Sequence, residues 1–254
     1  MTRLTDAGDL MRATGRSPAG DGGDMRRTTT SGIVAAGALL LAGCGGGGFA
    51  DESASTILDA AEKDMKALSA MTMTGELTTD GQQLGLDMSL TTDGDCKGTM
   101  EIDGGSAQIL SVGGESWLKA DSGFWDATAG GDSSQVQAIV GDKWVVMPPG
   151  EGSFAEVCDL DTLLEEMGDE NEDDGEVGET EEVDGQDAVT VDTETDEGDP
   201  LRVWVAVDEP HHVLQLEVTE GGEPGTITFS DFDKDLEIAA PSEDEVIDLS
   251  QLGG

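Results

Sequence analysis

The chain has 254 residues, with 12 Lys and Arg against 56 Asp and Glu, and a formal net charge of −44. A chain this acidic is excluded as a nucleic-acid binder and as a protein that adheres to anionic lipid headgroups by charge, because both need a basic surface. Hydrophobic residues make up 36% of the chain and aromatic residues 4%, so a core must come mainly from aliphatic and methionine side chains.

An export signal is the clearest motif near the N-terminus. Residues 25–43 begin with Met25, Arg26 and Arg27 and continue into an apolar stretch. At about ten residues this stretch is too short to span a bilayer and is typical of a secretory signal peptide. It ends in Leu41-Ala42-Gly43-Cys44, which resembles the lipobox of bacterial lipoproteins. The resemblance implies cleavage before Cys44 and attachment of fatty acyl chains such as palmitate; the alternative is a free Cys in an uncleaved signal.

The signal also sets the expected domain boundaries. Residues 1–24 are polar and acidic, so we expect them to be an upstream extension, with Met25 as the true start. A glycine-rich tether at 44–52 would then join the anchor to one domain at 53–240, followed by a polar tail at 241–254. The expected location is the extracytoplasmic face of the cell membrane, held there by lipid.

A helix followed by a strand meander is predicted for the first half of the domain. Apolar residues at helical spacing predict an amphipathic helix over 53–69. The period then changes to two, and Asp-Gly or Gly-Gly turns separate short strands at 71–78, 84–90, 96–102, 107–112 and 116–120. Connections this short exclude crossovers, so the strands are antiparallel.

The second half of the domain mixes helices with strands. Helices are predicted at 133–140 and from Ser153 to Met167, with an extended segment at 143–147 between them. Residues 168–182 are rich in Asp and Glu without Lys or Arg and predict a solvated acidic loop. Four closing strands are predicted around 189–191, 201–207, 214–218 and 227–229.

Alternation within the closing strands predicts which side chains share a face. In the strand at 201–207, Arg202 and Trp204 lie opposite the apolar face. In the strand at 214–218, Leu214 is expected on the same face as Leu216.

The cysteines and histidines allow few chemical functions. Cys96 and Cys158 remain once Cys44 is lipidated, and an even pair in an exported protein predicts a disulfide; the alternative is two buried thiols. His211 and His212 follow a proline and are expected in a surface turn, without a metal. No nucleophile elbow, phosphate-binding loop or dinucleotide fingerprint occurs, so neither an enzyme nor a cofactor is predicted.

Short stretches along the chain resemble those of a known superfamily. They are Ala67-Leu68-Ser69 with Met73-Thr74-Gly75, Ser116-Trp117-Leu118-Lys119 followed by Phe124-Trp125, Gly141-Asp142-Lys143-Trp144-Val145, and Gly225-Thr226-Ile227-Thr228-Phe229-Ser230. Their order and spacing resemble the LolA-like superfamily, and within it the actinobacterial LppX/LprG-type lipoproteins. The resemblance implies an α+β fold: a strongly curved antiparallel sheet, or half-barrel, with helices across its concave face and an apolar cavity that holds acyl chains.

The cavity would be lined by the inward side chains of the first helix and first strands. The candidates are Ile57, Met65, Leu68, Met73, Leu84, Leu86, Met88, Leu90 and Met100. The function implied is that of a monomeric carrier or chaperone for a lipid or an acylated ligand in the cell envelope. The alternative is a non-carrier surface lipoprotein whose core is filled by its own side chains, acting as an interaction or sensor module. An open apolar volume distinguishes the two.

Overall fold

Two strand meanders join side by side into one twelve-stranded sheet in the computed structural model. The structure describes residues 48–79, 81–129, 133–148, 158–169, 175–195 and 198–248. The first meander contains β1 (Ala70–Thr79), β2 (Gln82–Thr91), β3 (Cys96–Ile102), β4 (Gly105–Val112), β5 (Glu115–Ala120) and β6 (Trp144–Met147). The second contains β7 (Glu176–Val183), β8 (Gln186–Glu194), β9 (Pro200–Ala206), β10 (Val213–Val218) and β11 (Gly225–Ser230).

The two meanders meet where β1 pairs antiparallel with β11, so the first and last long strands of the domain are neighbours at the middle of the sheet. Glycines permit this close approach. A Cβ atom on Gly75 would lie 2.5 Å from the carbonyl oxygen of Thr226, and one on Gly225 would overlap the backbone of Glu76 and Leu77. A short last strand, β12 (Val246–Ile247), then pairs in parallel with β6 at the opposite edge from β7.

Four helices are described: α1 (Ala54–Met65), α2 (Ser122–Ala129), α3 (Ser133–Val140) and α4 (Leu160–Asp169). Helix α1 begins after Ser53, whose hydroxyl accepts a hydrogen bond from the Thr56 backbone N–H at 3.3 Å. Buried side chains of α1, α2 and α4 share one hydrophobic core with the concave face of the sheet. The curved α+β half-barrel predicted from the sequence is therefore confirmed.

A disulfide joins the sheet to α4. Cys96, the first residue of β3, is bonded to Cys158, just before α4, with 5.3 Å between the Cα atoms. Both side chains are fully buried. Asp159 caps α4 by accepting a hydrogen bond from the Thr162 N–H at 3.2 Å and also forms a backbone bridge with Thr91. The start of α4 is thereby fixed at the β2–β3 end of the sheet.

A second, smaller core lies on the convex face of β8, β9 and β10. It is formed by Val183, Ala188, Trp204, Ala206 and Leu214, with Phe232 packed against it. Trp204 lies opposite the apolar face of β9, as predicted. The prediction for Leu214 is wrong, because a β-bulge between Val213 and Gln215 turns Leu214 away from Leu216.

Several other sequence predictions need correction. The acidic loop expected at 168–182 is in part an edge strand, because β7 starts at Glu176 and pairs with β8 despite its exposed carboxylates. The tail expected from residue 241 contains β12. The tether expected at 44–52 is shorter, since Phe49 stacks on His211 with 3.6 Å between ring centroids. Helix α2 was not predicted.

Some predictions fall on residues that the structure does not describe. They include the extension at 1–24, the signal at 25–43, the anchor Cys44, the helix start at Ser153 and parts of the predicted tether, acidic loop and tail. Among the described helices, none is both long enough and apolar enough to cross a membrane.

Candidate functional site

Cross-strand pairing arranges the concave-face side chains in rows that run across the sheet. One row is fully packed and is called the inner row here: Leu118, Ile109, Met88, Met73 and Phe229, each between 1% and 7% exposed. Gly98 continues this row between Met88 and Ile109, and the Met88 side chain lies over it. At this level of the concave face the inner row therefore leaves no uncovered apolar surface.

Nearer the β1–β2 turn the same face is less well covered. Eight apolar side chains there are only half-buried and form what we call the apolar strip: Leu77, Leu84, Leu86, Met100, Ile102, Leu216, Val218 and Ile227. Its members pair directly on each side of the β1–β11 seam, and at the seam the side chains of Ile227 and Leu77 lie next to Gly75 and Gly225, which carry none. Leu84 lies between Leu77 and Ile102, and Leu86 is opposite Met100. On the far side of β1, Ile227 is opposite Leu216.

The predicted cavity residues divide between these regions. Ile57, Met65, Leu68, Met73, Met88 and Leu90 are at most 7% exposed and belong to the packed core. Leu84, Leu86 and Met100 belong to the strip. Sequence reasoning missed the other five strip residues. Leu77 and Ile102 follow the alternation of the predicted strands and could have been found, whereas Leu216, Val218 and Ile227 join the strip only through the β1–β11 pairing.

Helix α2 closes the strip at the β3–β4 end. Gly105 is paired with Ile102, and a Cβ atom at Gly105 would overlap the backbone of Gly123 and Phe124. The first turn of α2 therefore lies directly on the concave face. Asp121 fixes it there, since its Oδ1 accepts hydrogen bonds from the N–H of Ser106 at 3.1 Å and from that of Phe124 at 2.9 Å.

Trp125 of α2 is half-buried and packs against the concave-face core. Its ring meets that of Phe124 edge to face, with 5.8 Å between centroids. The indole Nε1 of Trp125 is buried and has no hydrogen-bond acceptor within the described ranges.

The histidine pair lies beyond the end of α1. The His211 backbone N–H donates to Asp64 Oδ2 at 2.9 Å, and this bond is the main cause that lowers the pKa of Asp64. His212 is only 9% exposed, so the predicted surface turn is wrong for this residue, and burial lowers its pKa. In the part of the chain that the structure describes, no three His, Cys, Asp or Glu side chains are grouped to hold a metal ion.

A groove of about 390 Å³ with a mixed polar and apolar lining opens on the opposite, convex face. It is lined by Asp87, Ser89, Lys97, Gly98, Thr99, Gln108, Ile109, Leu110 and Trp144. Lys97 is held at its rim by a 3.0 Å hydrogen bond to the carbonyl oxygen of Glu237. The groove mixes the charged side chains of Asp87 and Lys97 with the apolar side chains of Leu110 and Trp144, whereas the strip offers almost only hydrocarbon side chains.

Comparison with known proteins supports the fold. No protein-family model and no curated protein matches the chain. Among solved structures, LprF from Mycobacterium bovis matches with a TM-score of 0.55 and 14% identity, covering 74% of this chain and 96% of LprF. The lipoprotein LppX from Mycobacterium tuberculosis matches with a TM-score of 0.51 and 16% identity, covering 74% of this chain and 100% of LppX. The chain has the LolA-like fold. In this LolA-like half-barrel, the apolar strip lies on the concave face and α2 at one of its ends.

Proposed function

We propose that the LolA-like domain binds an acyl chain along the apolar strip, as a monomeric carrier or chaperone for a lipid or acylated ligand in the cell envelope. Cys44 would hold it on the extracytoplasmic face of the membrane through its own lipid. The observation that carries the proposal is the strip itself: eight adjacent apolar side chains on the concave face that neither the helices nor the inner row fully cover.

The energetic argument is that half-covered apolar surface favours a hydrocarbon ligand. Each methylene group moved from water into an apolar site contributes about 0.8 kcal/mol. From Ile102 on β3 to Val218 on β10 the strip crosses four inter-strand spacings. With strands about 4.8 Å apart, its length is about 19 Å, comparable with an extended palmitoyl chain.

The alternative function is a surface module that recognises a partner and carries no lipid. One observation favours it: six of the nine predicted cavity side chains belong to the packed core. In that case the strip would be ordinary surface that the chain leaves partly exposed. Ligand binding separates the two functions.

The test uses the chain with Cys44→Ala, which lacks the proposed anchor and can be studied without detergent. Leu86→Trp adds a large ring at the centre of the strip, so we expect it to weaken binding of a fluorescent fatty-acyl probe by at least about tenfold. Leu86 is only half-buried, so the free energy of unfolding should change by no more than about 1 kcal/mol.

Thr99→Trp is the matched control. Thr99 is next to Met100 in β3 but lines the convex groove, so the same ring there should leave probe binding unchanged. Absence of probe binding by the parent chain would support the alternative function. Loss of binding in Thr99→Trp, with retention in Leu86→Trp, would place the ligand in the convex groove instead.

A further inference from the structure

The indole N–H of Trp125 lacks a hydrogen-bond acceptor in the part of the chain that the structure describes, and a bare hydrocarbon ligand could not supply one. Buried tryptophan N–H groups usually have an acceptor, because an unpaired buried donor is unfavourable. Trp204 follows this rule, since its Nε1 donates to Glu181 Oε2 at 2.9 Å. Trp125 Nε1 is buried and has no acceptor among the described residues. An acceptor from a ligand would satisfy it.

The position of Trp125 connects this donor to the strip. The first turn of α2 lies on Gly105, which is the cross-strand partner of the strip residue Ile102. Trp125 is in that first turn and packs against the same core as Ile102 and Met100. A chain that follows the strip towards β3 therefore ends beside α2.

We propose that Trp125 Nε1 donates a hydrogen bond to the ester carbonyl oxygen of an acylated ligand whose hydrocarbon lies along the apolar strip. This inference rests on the proposed function and adds the polar end of the ligand to it. A carboxylate could accept the same bond, but the chain carries a formal net charge of −44, and exposed Asp121 and Asp126 flank Trp125. Repulsion from these charges disfavours an anion, so the acceptor is a neutral ester.

Three fluorescent probes separate the contributions of hydrocarbon and acceptor: parinaric acid, its methyl ester, and diphenylhexatriene, which has no hydrogen-bonding atom. In the Cys44→Ala chain, Trp125→Phe keeps an aromatic ring but removes the N–H. We expect it to weaken binding of the methyl ester about tenfold and to leave binding of diphenylhexatriene unchanged. Trp204→Phe is the control, because it removes an indole N–H on the convex face and should change neither affinity.

A measurement on the chain without a Trp substitution makes the test independent of how well the variant folds. The sequence has four Trp residues, so ¹⁵N-labelling of tryptophan gives four indole N–H signals. The methyl ester should move the Trp125 signal downfield, while diphenylhexatriene should not. The signal is assigned by its loss in Trp125→Phe or by elimination using the three other single Trp→Phe variants.

Each outcome decides a different claim. If none of the probes binds, both the proposed function and this inference are wrong. If all bind, but Trp125→Phe affects them equally and the Trp125 signal does not respond to the ester, the strip binds acyl chains and the assignment of Trp125 is wrong. An effect confined to parinaric acid would overturn the ester in favour of a carboxylate.

Discussion

At the scale of single residues, His212 couples the stability of the fold to pH. Its imidazole is 9% exposed and packs against Phe232, with 4.2 Å between ring centroids. Burial lowers its pKa from the usual 6.5, with a smaller effect from His211, while Asp233 and Asp64 act in the opposite direction. In the folded chain the neutral form of His212 is therefore favoured.

The lowered pKa of His212 makes the free energy of unfolding depend on pH. As pH falls below about 6.5, His212 becomes protonated in the unfolded chain first, because its pKa is lower in the folded chain. The fold therefore loses stability over the pH range between these two pKa values. We expect wild type to lose stability relative to His212→Gln between pH 7 and pH 5. Urea unfolding of both chains measures this difference, and the common effect of the many carboxylates cancels. A difference in unfolding free energy that stays constant with pH would contradict the assignment.

At the scale of elements, the Cys96–Cys158 disulfide links β3 to α4 across a sequence separation of 62 residues. A loop of this length predicts stabilisation by about 2–4 kcal/mol. Reduction should therefore lower the denaturant concentration at which half of the wild-type protein is unfolded. A Cys96→Ser/Cys158→Ser variant should unfold at that lower concentration with or without reductant. Alkylation of two thiols in the unreduced protein, detected by intact mass, would show that no disulfide forms.

The elements that could be predicted from the sequence are those with a clear apolar period. Leu84, Leu86, Met88 and Leu90 alternate through β2 because one face of that strand is buried and the other is not. Strand β7 has no such signal: seven of its eight residues are exposed, and it is held to β8 mainly by backbone pairing. Helix α2 has only two turns, and its apolar residues do not complete a helical period.

The candidate site was only partly predictable for the same reason. Local alternation identified Leu84, Leu86 and Met100 as concave-face residues. The rest of the strip depends on β1 pairing with β11, whose residues are more than 140 positions apart in the chain. Nothing local in the sequence specifies such a pairing, and the bulge in β10 reverses Leu214 without a glycine or proline to mark it.

For the whole molecule, the proposed function requires that lipid on Cys44 hold the domain on the membrane. The net charge of −44 keeps such a domain away from anionic headgroups, so charge cannot replace the anchor. Cys44→Ala should therefore shift the protein from the membrane fraction to the medium or leave it as unprocessed precursor. Fractionation with a detergent-partitioning assay measures the change, and unchanged partitioning of the variant would show that Cys44 is not the anchor.

Native mass spectrometry of the chain purified from its own membrane tests whether the strip holds a lipid in the cell envelope. We expect a complex with one acylated molecule, in addition to the mass of the Cys44 modification, that Leu86→Trp loses and Thr99→Trp retains. If the parent protein and Thr99→Trp both carry no lipid other than the anchor, the strip does not bind an acylated ligand and the proposed function is wrong.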